Sequence, residues 1–231
     1  MHNEEYSFRV THIQPLAGHV AQILLRPIHF PSISYEAGQY VHVLHQDQSI
    51  SPLSIACAPN DKSILEFHLF HPAQNLLAQD LMRLAREENI WRMTGPFGRC
   101  TISQLHHDRP IIFLARGTGF APVKAMIEAF TRLPLYPAIS FYWSVSQRSH
   151  LYMNELLEKW MIQIPDFSYT PVCMDQDAAN PVALLETVLR DHPDISRYQV
   201  YASGSQPFVY ALFSELHYRG LEMEFFYSDV L

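Results

Sequence analysis

The residues best suited to chemistry lie where apolar runs break at glycine. In Leu114-Ala-Arg-Gly-Thr-Gly-Phe-Ala-Pro122 the stretch Ile111-Ile-Phe-Leu-Ala115 runs into Gly117, Thr118 and Gly119 and then into an amphipathic segment from Ala121 to Arg132. Glycines at such a break let the backbone approach a phosphate or a ring closely, and the N-terminus of a following helix favours anions. Pro122 suits an early helical position, where its missing N–H costs nothing. Ser203-Gly204-Ser-Gln-Pro207 repeats the arrangement after Val200-Tyr-Ala-Ser203. Each junction alone also reads as a plain strand-to-helix turn, and the first is not the longer G-x-G-x-x-G fingerprint. Two of them at one edge of one sheet, with Gly95-Pro-Phe-Gly98 nearby, favour a dinucleotide site between two lobes.

The elements that must position these junctions differ along the chain. Ser7–Ile13, His19–Leu25, Gln39–Leu44 and Ile64–Leu69 alternate large or β-branched residues with others, as antiparallel strands of a barrel or sandwich do. Leu76, Leu77, Leu81 and Leu84 fall at helical spacing, and Ile90-Trp-Arg-Met-Thr94 returns to strand. One helix closing a small β-domain is the simplest arrangement. From Arg109-Pro110 onward apolar strands alternate with helices: strands at 111–115, 138–145, 169–173, 199–202 and 222–227, helices near 121–132, 150–162, 181–190 and 207–218. That alternation implies a parallel, doubly wound sheet. The expected organisation is a β-barrel domain over residues 1–104 followed by an α/β doubly wound, Rossmann-like domain over 105–231, joined in Gln104-Leu-His-His-Asp108.

Composition narrows the classes. With 231 residues, 48% hydrophobic and 17% charged, the chain has enough apolar surface for two cores and does not resemble a disordered one. Sixteen Lys and Arg against 23 Asp and Glu give a net charge of −7, without a basic stripe for nucleic acid. Cys57, Cys100 and Cys173 lie far apart, with no C-x-x-C pair for a cluster or zinc, which fits a reducing cytoplasm. The start, Met1-His-Asn-Glu-Glu5, has no apolar signal-like core, and no apolar run is long enough to span a membrane. The thirteen histidines form no metal-ligand spacing: His106 and His107 sit in the presumed linker and His68 and His71 flank a strand end, so no metal is expected. Only eight glycines occur, where average usage of about 7% gives roughly sixteen. Six of them, Gly38, Gly95, Gly98, Gly117, Gly119 and Gly204, lie in the segments that carry the resemblance described next, leaving Gly18 and Gly220 to turns.

The order of these segments, Ser51-Pro-Leu-Ser54, Gly95-Pro-Phe-Gly98, Gly117-Thr-Gly119-Phe-Ala-Pro122, Tyr142-Trp-Ser-Val145, Leu151-Tyr152 with Glu155, Tyr201-Ala-Ser-Gly204 and Tyr227-Ser-Asp229, resembles the ferredoxin-NADP reductase superfamily over almost the whole chain. Asn75-Leu-Leu-Ala-Gln-Asp-Leu-Met82 and the missing cluster cysteines look most like the bacterial NAD(P)H-flavin reductases, which treat flavin as a substrate. The resemblance implies hydride transfer from NADPH or NADH to a flavin (riboflavin, FMN or FAD) across the lobe interface. It assigns Ser54 a hydrogen bond near the flavin's reactive nitrogen and groups Pro52, Leu53, Asn75 and Leu76 on the flavin side. Gly117, Thr118, Gly119 and Pro122 match the nicotinamide loop, Gly204 and Pro207 the second dinucleotide loop, and Asp229 the acidic residue by the active site. Ser54, Thr118 and Asp229 are thus the catalytic candidates. Outside the resemblance, Ser54 reads equally as a turn cap and Asp229 as a solvated terminal carboxylate.

Departures from the family pattern matter as much. Where the family usually has Arg and then an aromatic, this chain has Ser51 and Leu53; where a glycine pair and serine commonly seat a pyrophosphate, it has Gln74, Asn75 and Ala78. Charge-assisted contacts are worth about 1.5–3 kcal/mol each, so their loss weakens FMN and FAD relative to riboflavin, which carries no phosphate. Arg116 replaces a glycine; pairing with a dinucleotide phosphate, blocking the flavin side and pointing to solvent all stay open. After the strand Phe141–Val145, Ser146-Gln-Arg148-Ser carries no carboxylate to select ribose hydroxyls, and Arg148 offers a contact for the extra phosphate of NADPH. The expected activity is reduction of a free or weakly bound flavin. Alternatives are an FAD-containing reductase serving a separate iron-sulfur or oxygenase acceptor downstream, and a degenerate, non-catalytic binding module of the same fold.

Overall fold

A computed structural model describes residues 4–29, 32–173 and 181–231. Six strands, β1 (Glu5–Pro15), β2 (Val20–Pro27), β3 (Tyr40–Leu44), β4 (Ile50–Ser54), β5 (Leu65–Phe70) and β6 (Ile90–Phe97), form an antiparallel sheet in the order β4-β3-β6-β1-β2-β5. The Ala56 amide donates to the Glu66 carbonyl at 2.7 Å, linking the chain just past β4 to β5 and curling the sheet into a barrel. Inward residues such as Phe8, Ile23, Leu25, Val41, Val43 and Phe67 fill it. Its open end is plugged by α1 (Leu76–Arg83) and the π-helical turn that continues it through Glu88. Trp91 Nε1 donates to the Leu81 carbonyl at 3.2 Å, tying plug to wall.

The leucine pattern before α1 overstates the buried face. Leu81 and Leu84 are buried, but Leu76 is 79% exposed and Leu77 45%. Both sit in the first turn of α1, clear of the barrel core. β4 is a strand despite Pro52, because it is an edge strand paired with β3 alone, where a missing N–H disrupts no second ladder.

The second lobe contains β7 (Ile111–Arg116), α2 (Phe120–Phe130), β8 (Ile139–Val145), α3 (Asn154–Gln163), β9 (Phe167–Cys173), α4 (Val182–Asp191), β10 (Gln199–Ser203), α5 (Gln206–Tyr218) and β11 (Phe226–Tyr227). All pairings are parallel, in the order β11-β10-β7-β8-β9. The period of two along β7 splits its side chains between layers. Ile111, Phe113 and Ala115 join the core under α2 and α3, while Ile112 and Leu114 join the one under α4 and α5. The last expected strand shortens to two residues, since Met223–Phe225 form a 3-10 turn. Among the described residues no helix is long and apolar enough to cross a membrane.

Candidate functional site

In this sheet order the chain reverses direction of growth between β7 and β10, and ligands of doubly wound sheets bind at the carboxyl ends of the strands flanking such a point. Both glycine junctions lie there. Gly117–Gly119 form a 3-10 turn running directly into α2, and Ser203–Gly204 lead into α5. Gly117 is in the left-handed region (φ 54°), and a Cβ on it would meet open space. Gly119 is constrained differently: a Cβ there would lie 2.3 Å from the Ser203 carbonyl oxygen. The two loops therefore touch backbone to backbone. Trp143 Nε1 donates to the Gly117 carbonyl at 2.9 Å and Ser144 Oγ to the Ala115 carbonyl at 2.9 Å, pinning the first loop to β8.

Pro52, Leu53 and Ser54 of β4 face this crossing across the lobe interface and share a cavity with Thr118, Gly119 and Gly204. Ser54 and Thr118 are half-buried, and no hydrogen bond within the described residues engages either hydroxyl. Two polar hydroxyls and open backbone in a cleft between an edge strand and a strand-helix junction fit a planar ring with polar edges. Arg116 reaches the same cavity, half-buried, its guanidinium 5.9 Å from the centre of the Phe208 ring. A second cavity continues from it towards α1, lined by Ser51, Leu53, Asn75 and Ala78. Asn75 caps α1 by accepting from the Ala78 amide at 3.1 Å; Leu76 lies outside the cavity lining.

Ser51, which stands where an arginine was expected, belongs to a relay. Its Oγ is 2.8 Å from His45 Nε2, His45 Nδ1 is 2.7 Å from Asp80 Oδ2, and Asp80 Oδ1 accepts from Arg83 at 2.7 Å. The hydrogen bond from His45 is the main reason the Asp80 carboxyl lies below its ordinary value.

Past the end of β8, Ser146 lines a cavity of about 350 Å³ with Gly117, Thr118, His19 and Ser205. Ser146 Oγ lies 3.0 Å from His150 Nδ1. Arg148 starts the exposed 3-10 turn beside this cavity but does not line it. Pro207 is exposed in the first turn of α5, and Pro122 is buried as the third residue of α2. Asp229 lines another part of the cleft, with Tyr40, Ser54 and Gly204. Its Oδ1 accepts from the Arg99 and Cys100 amides at 3.0 and 3.3 Å, so the carboxylate fastens the tail onto the loop after β6. Burial raises the Asp229 carboxyl above its ordinary value against those amides, and burial together with Asp229 pushes the Cys100 thiol up to about 12.

Sequence reasoning did not find the group at the centre of the lobe interface. Lys124 of α2, 5% exposed, donates to Glu66 Oε2 of β5 at 2.9 Å, to Glu128 Oε1 at 2.7 Å and to the Ala56 carbonyl at 2.9 Å. His68, which lines both cavities beside β4, is 2.9 Å from Glu66 through Nε2 and 3.1 Å from the Tyr152 hydroxyl through Nδ1. The available signal was a lysine inside the otherwise apolar face of α2. Among the described residues no three His, Cys, Asp or Glu gather as a metal would need.

This group makes the interface acid-sensitive. Burial works to raise Glu66, but the hydrogen bond from His68 and the charge of Lys124 override it and hold the carboxyl at about 2. Burial lowers His68 below its ordinary 6.5. Both groups have depressed folded values, so each contributes stability above its unfolded value that is lost as pH falls towards the folded one. Stability is expected to start falling below about pH 6.5 and to drop most steeply between pH 4.5 and 2, with Glu66 contributing about 3 kcal/mol. Urea midpoints measured against pH check this, and Glu66→Gln should flatten the steep part.

Two backbone loops crossing at a sheet's switch point, opposite an edge strand of a small barrel, define a two-lobed protein with a cleft of the dinucleotide-binding kind. Residues 113–212 match the oxidoreductase NAD-binding domain. Over 227 residues the chain is 30% identical to the CDP-6-deoxy-L-threo-D-glycero-4-hexulose-3-dehydrase reductase of Yersinia pestis, covering 97% of this chain and 68% of that one. It is 28% identical over 204 residues to the NAD(P)H-flavin reductase of Vibrio harveyi, covering 85% of each. The Amycolatopsis cytochrome P450 reductase GcoB shares its fold, with a TM-score of 0.84 at 19% identity over 98% of this chain and 69% of that one. The chain belongs to the ferredoxin-NADP reductase family, whose cofactors are NAD(P)H and flavin.

Proposed function

We propose that this chain transfers hydride from NAD(P)H to a free or weakly held flavin, riboflavin or FMN, in the cleft between its lobes. The observation that carries this reading is the cavity at the start of α1. Neither Lys nor Arg lines it, and Ile50, Phe70 and Leu77 around it are exposed. A phosphate placed there would lose its water without gaining a cation, which favours flavins that come and go over tightly held FAD.

When bound, the nicotinamide supplies a hydride and the flavin ring accepts it; the chain's part is to orient the two and exclude water. In this reading the Ser54 and Thr118 hydroxyls hold the polar edge of the flavin. The Gly117–Gly119 and Ser203–Gly204 backbones admit the nicotinamide half, and Asp229 holds the tail against the cleft. Ser146 and Arg148 take the outer ribose and its phosphate.

The test is oxidation of NADPH or NADH with riboflavin, FMN or FAD in excess, followed by nicotinamide absorbance. A colourless purified protein that turns over with added flavin is the expected result. Stoichiometric FAD that passes electrons only to an added protein acceptor would instead support a reductase component, a second reading favoured by the Yersinia pestis relative, whose name is that of a dehydrase reductase. No oxidation with any flavin, with or without an added protein acceptor, would overturn both and leave a binding module.

A further inference from the structure

We propose that the Arg83–Asp80–His45–Ser51 relay makes Ser51 a hydrogen-bond acceptor towards the flavin-side cavity, so that the site takes a neutral ribityl hydroxyl and rejects a phosphate. The inference rests on the flavin reading above and deepens it by assigning the selecting group.

The direction of each hydrogen bond follows from its neighbours. Asp80 is an ionised carboxylate that accepts from Arg83 on one oxygen and faces His45 Nδ1 on the other at 2.7 Å. A carboxylate can only accept, so Nδ1 carries the proton. In neutral His45 the other nitrogen, Nε2, is then bare and accepts from the Ser51 hydroxyl 2.8 Å away. His45 is 3% exposed, so water does not compete for that nitrogen. Ser51 has spent its only hydrogen inside the protein and shows lone pairs to the cavity.

The cavity holds no cation to offset this. Apart from Ser51, its polar lining is His68, Asn75 and Thr118; Asn75 spends its side-chain oxygen on the Ala78 amide, which leaves its Nδ2 and the Thr118 hydroxyl as uncharged donors, weaker partners for a phosphate than a cation. Ser51 lies three residues back along β4 from Ser54, roughly 10 Å at about 3.3 Å per residue. The cavity lined by Ser54 and Thr118 shares Pro52, Leu53 and His68 with the one lined by Ser51, so a flavin with its ring between Ser54 and Thr118 has room for its chain there. A sugar hydroxyl arriving at Ser51 can donate; a phosphate oxygen cannot, and meets the serine lone pairs directly.

His45 and Asp80 are positioning residues here, since they act through Ser51, and a variant distinguishes this from simple support. In Asp80→Asn the amide oxygen stays on Arg83, which only donates, and the amide N–H then faces His45 Nδ1. His45 must shift its proton to Nε2 and donate to Ser51, whose own hydrogen turns into the cavity. Riboflavin and FMN binding is measured by quenching of flavin fluorescence, without nicotinamide, for the wild type, Asp80→Asn, Ser51→Arg and Asp80→Asn combined with Ser51→Ala. The wild type is expected to bind riboflavin at least ten-fold tighter than FMN. Asp80→Asn should narrow that ratio several-fold, Ser51→Arg should raise FMN affinity roughly ten- to a hundred-fold, and the double variant should lose the narrowing. Riboflavin binding in each variant reports a folded site, and a merely loosened pocket weakens both flavins together. Equal binding of the two flavins by the wild type, or an Asp80→Asn effect of the same factor on both, overturns the proposal. If the wild type binds neither flavin, the flavin reading itself is overturned, and the proposal with it.

Discussion

Replacing Lys124 with alanine is expected to destabilise the protein by about 3–5 kcal/mol, the usual cost of stranding a buried charge. Its ammonium lies between Glu66 of the barrel and Glu128 of its own helix, all three largely out of water. Removing it leaves two carboxylates and the Ala56 carbonyl facing one another across the lobe interface. For a chain of this length each kcal/mol moves the thermal midpoint by about 2–4 °C, so a fall on the order of 10 °C is expected in a melting scan. The charge rather than the packing should account for it: Lys124→Met combined with Glu66→Gln should recover much of the loss, whereas Lys124→Met alone should not. Because α2 begins directly after Gly119, the same substitution should also loosen the cleft and weaken nicotinamide-nucleotide binding.

Gly119→Ala is expected to lower kcat/KM for NAD(P)H about 100-fold. The added methyl would sit 2.3 Å from the Ser203 carbonyl oxygen and 2.7 Å from its carbon, a backbone neighbour that cannot rotate away. The loops at the ends of β7 and β10 must separate, and misplacing bound reactants by about 1 Å costs on the order of 100-fold. Gly117→Ala is the matched control. Its Cβ meets nothing within 4 Å, so only the left-handed backbone (φ 54°) resists it, at about 1–2 kcal/mol. Steady-state kinetics with both dinucleotides, alongside melting scans, separate the two effects: a Gly119→Ala enzyme with unchanged kcat/KM would mean that the close loop approach has no part in positioning.

The second lobe was the more legible half. Its central strands are buried on both faces and so read as unbroken apolar runs, and its glycines mark the turns where strands end. The six-strand barrel was less so. β4 carries a proline and too few apolar residues to announce itself, and its strand character comes from pairing Tyr40–Leu44 with Ile50–Ser54 at the sheet edge. Leu76 and Leu77 misled in the opposite sense, since a periodicity of leucines cannot tell a buried turn from an exposed one. Ser51 was recognisable as a missing arginine, yet nothing local pointed to His45 and Asp80 behind it.

By itself the sequence determined the two lobes, their order and the paired glycine junctions. All of these are properties of short segments, encoded in periodicity, in the conformational freedom of glycine and in single residue types. Only the tertiary structure decided which polar side chains meet. Lys124 and Glu66 are 58 residues apart, His45 and Asp80 are 35 apart, and Gly119 touches Ser203 across the switch point. Whether a lysine, a histidine or a serine is solvated or spent on a partner depends on what another element brings against it, and a residue's own segment carries no record of that.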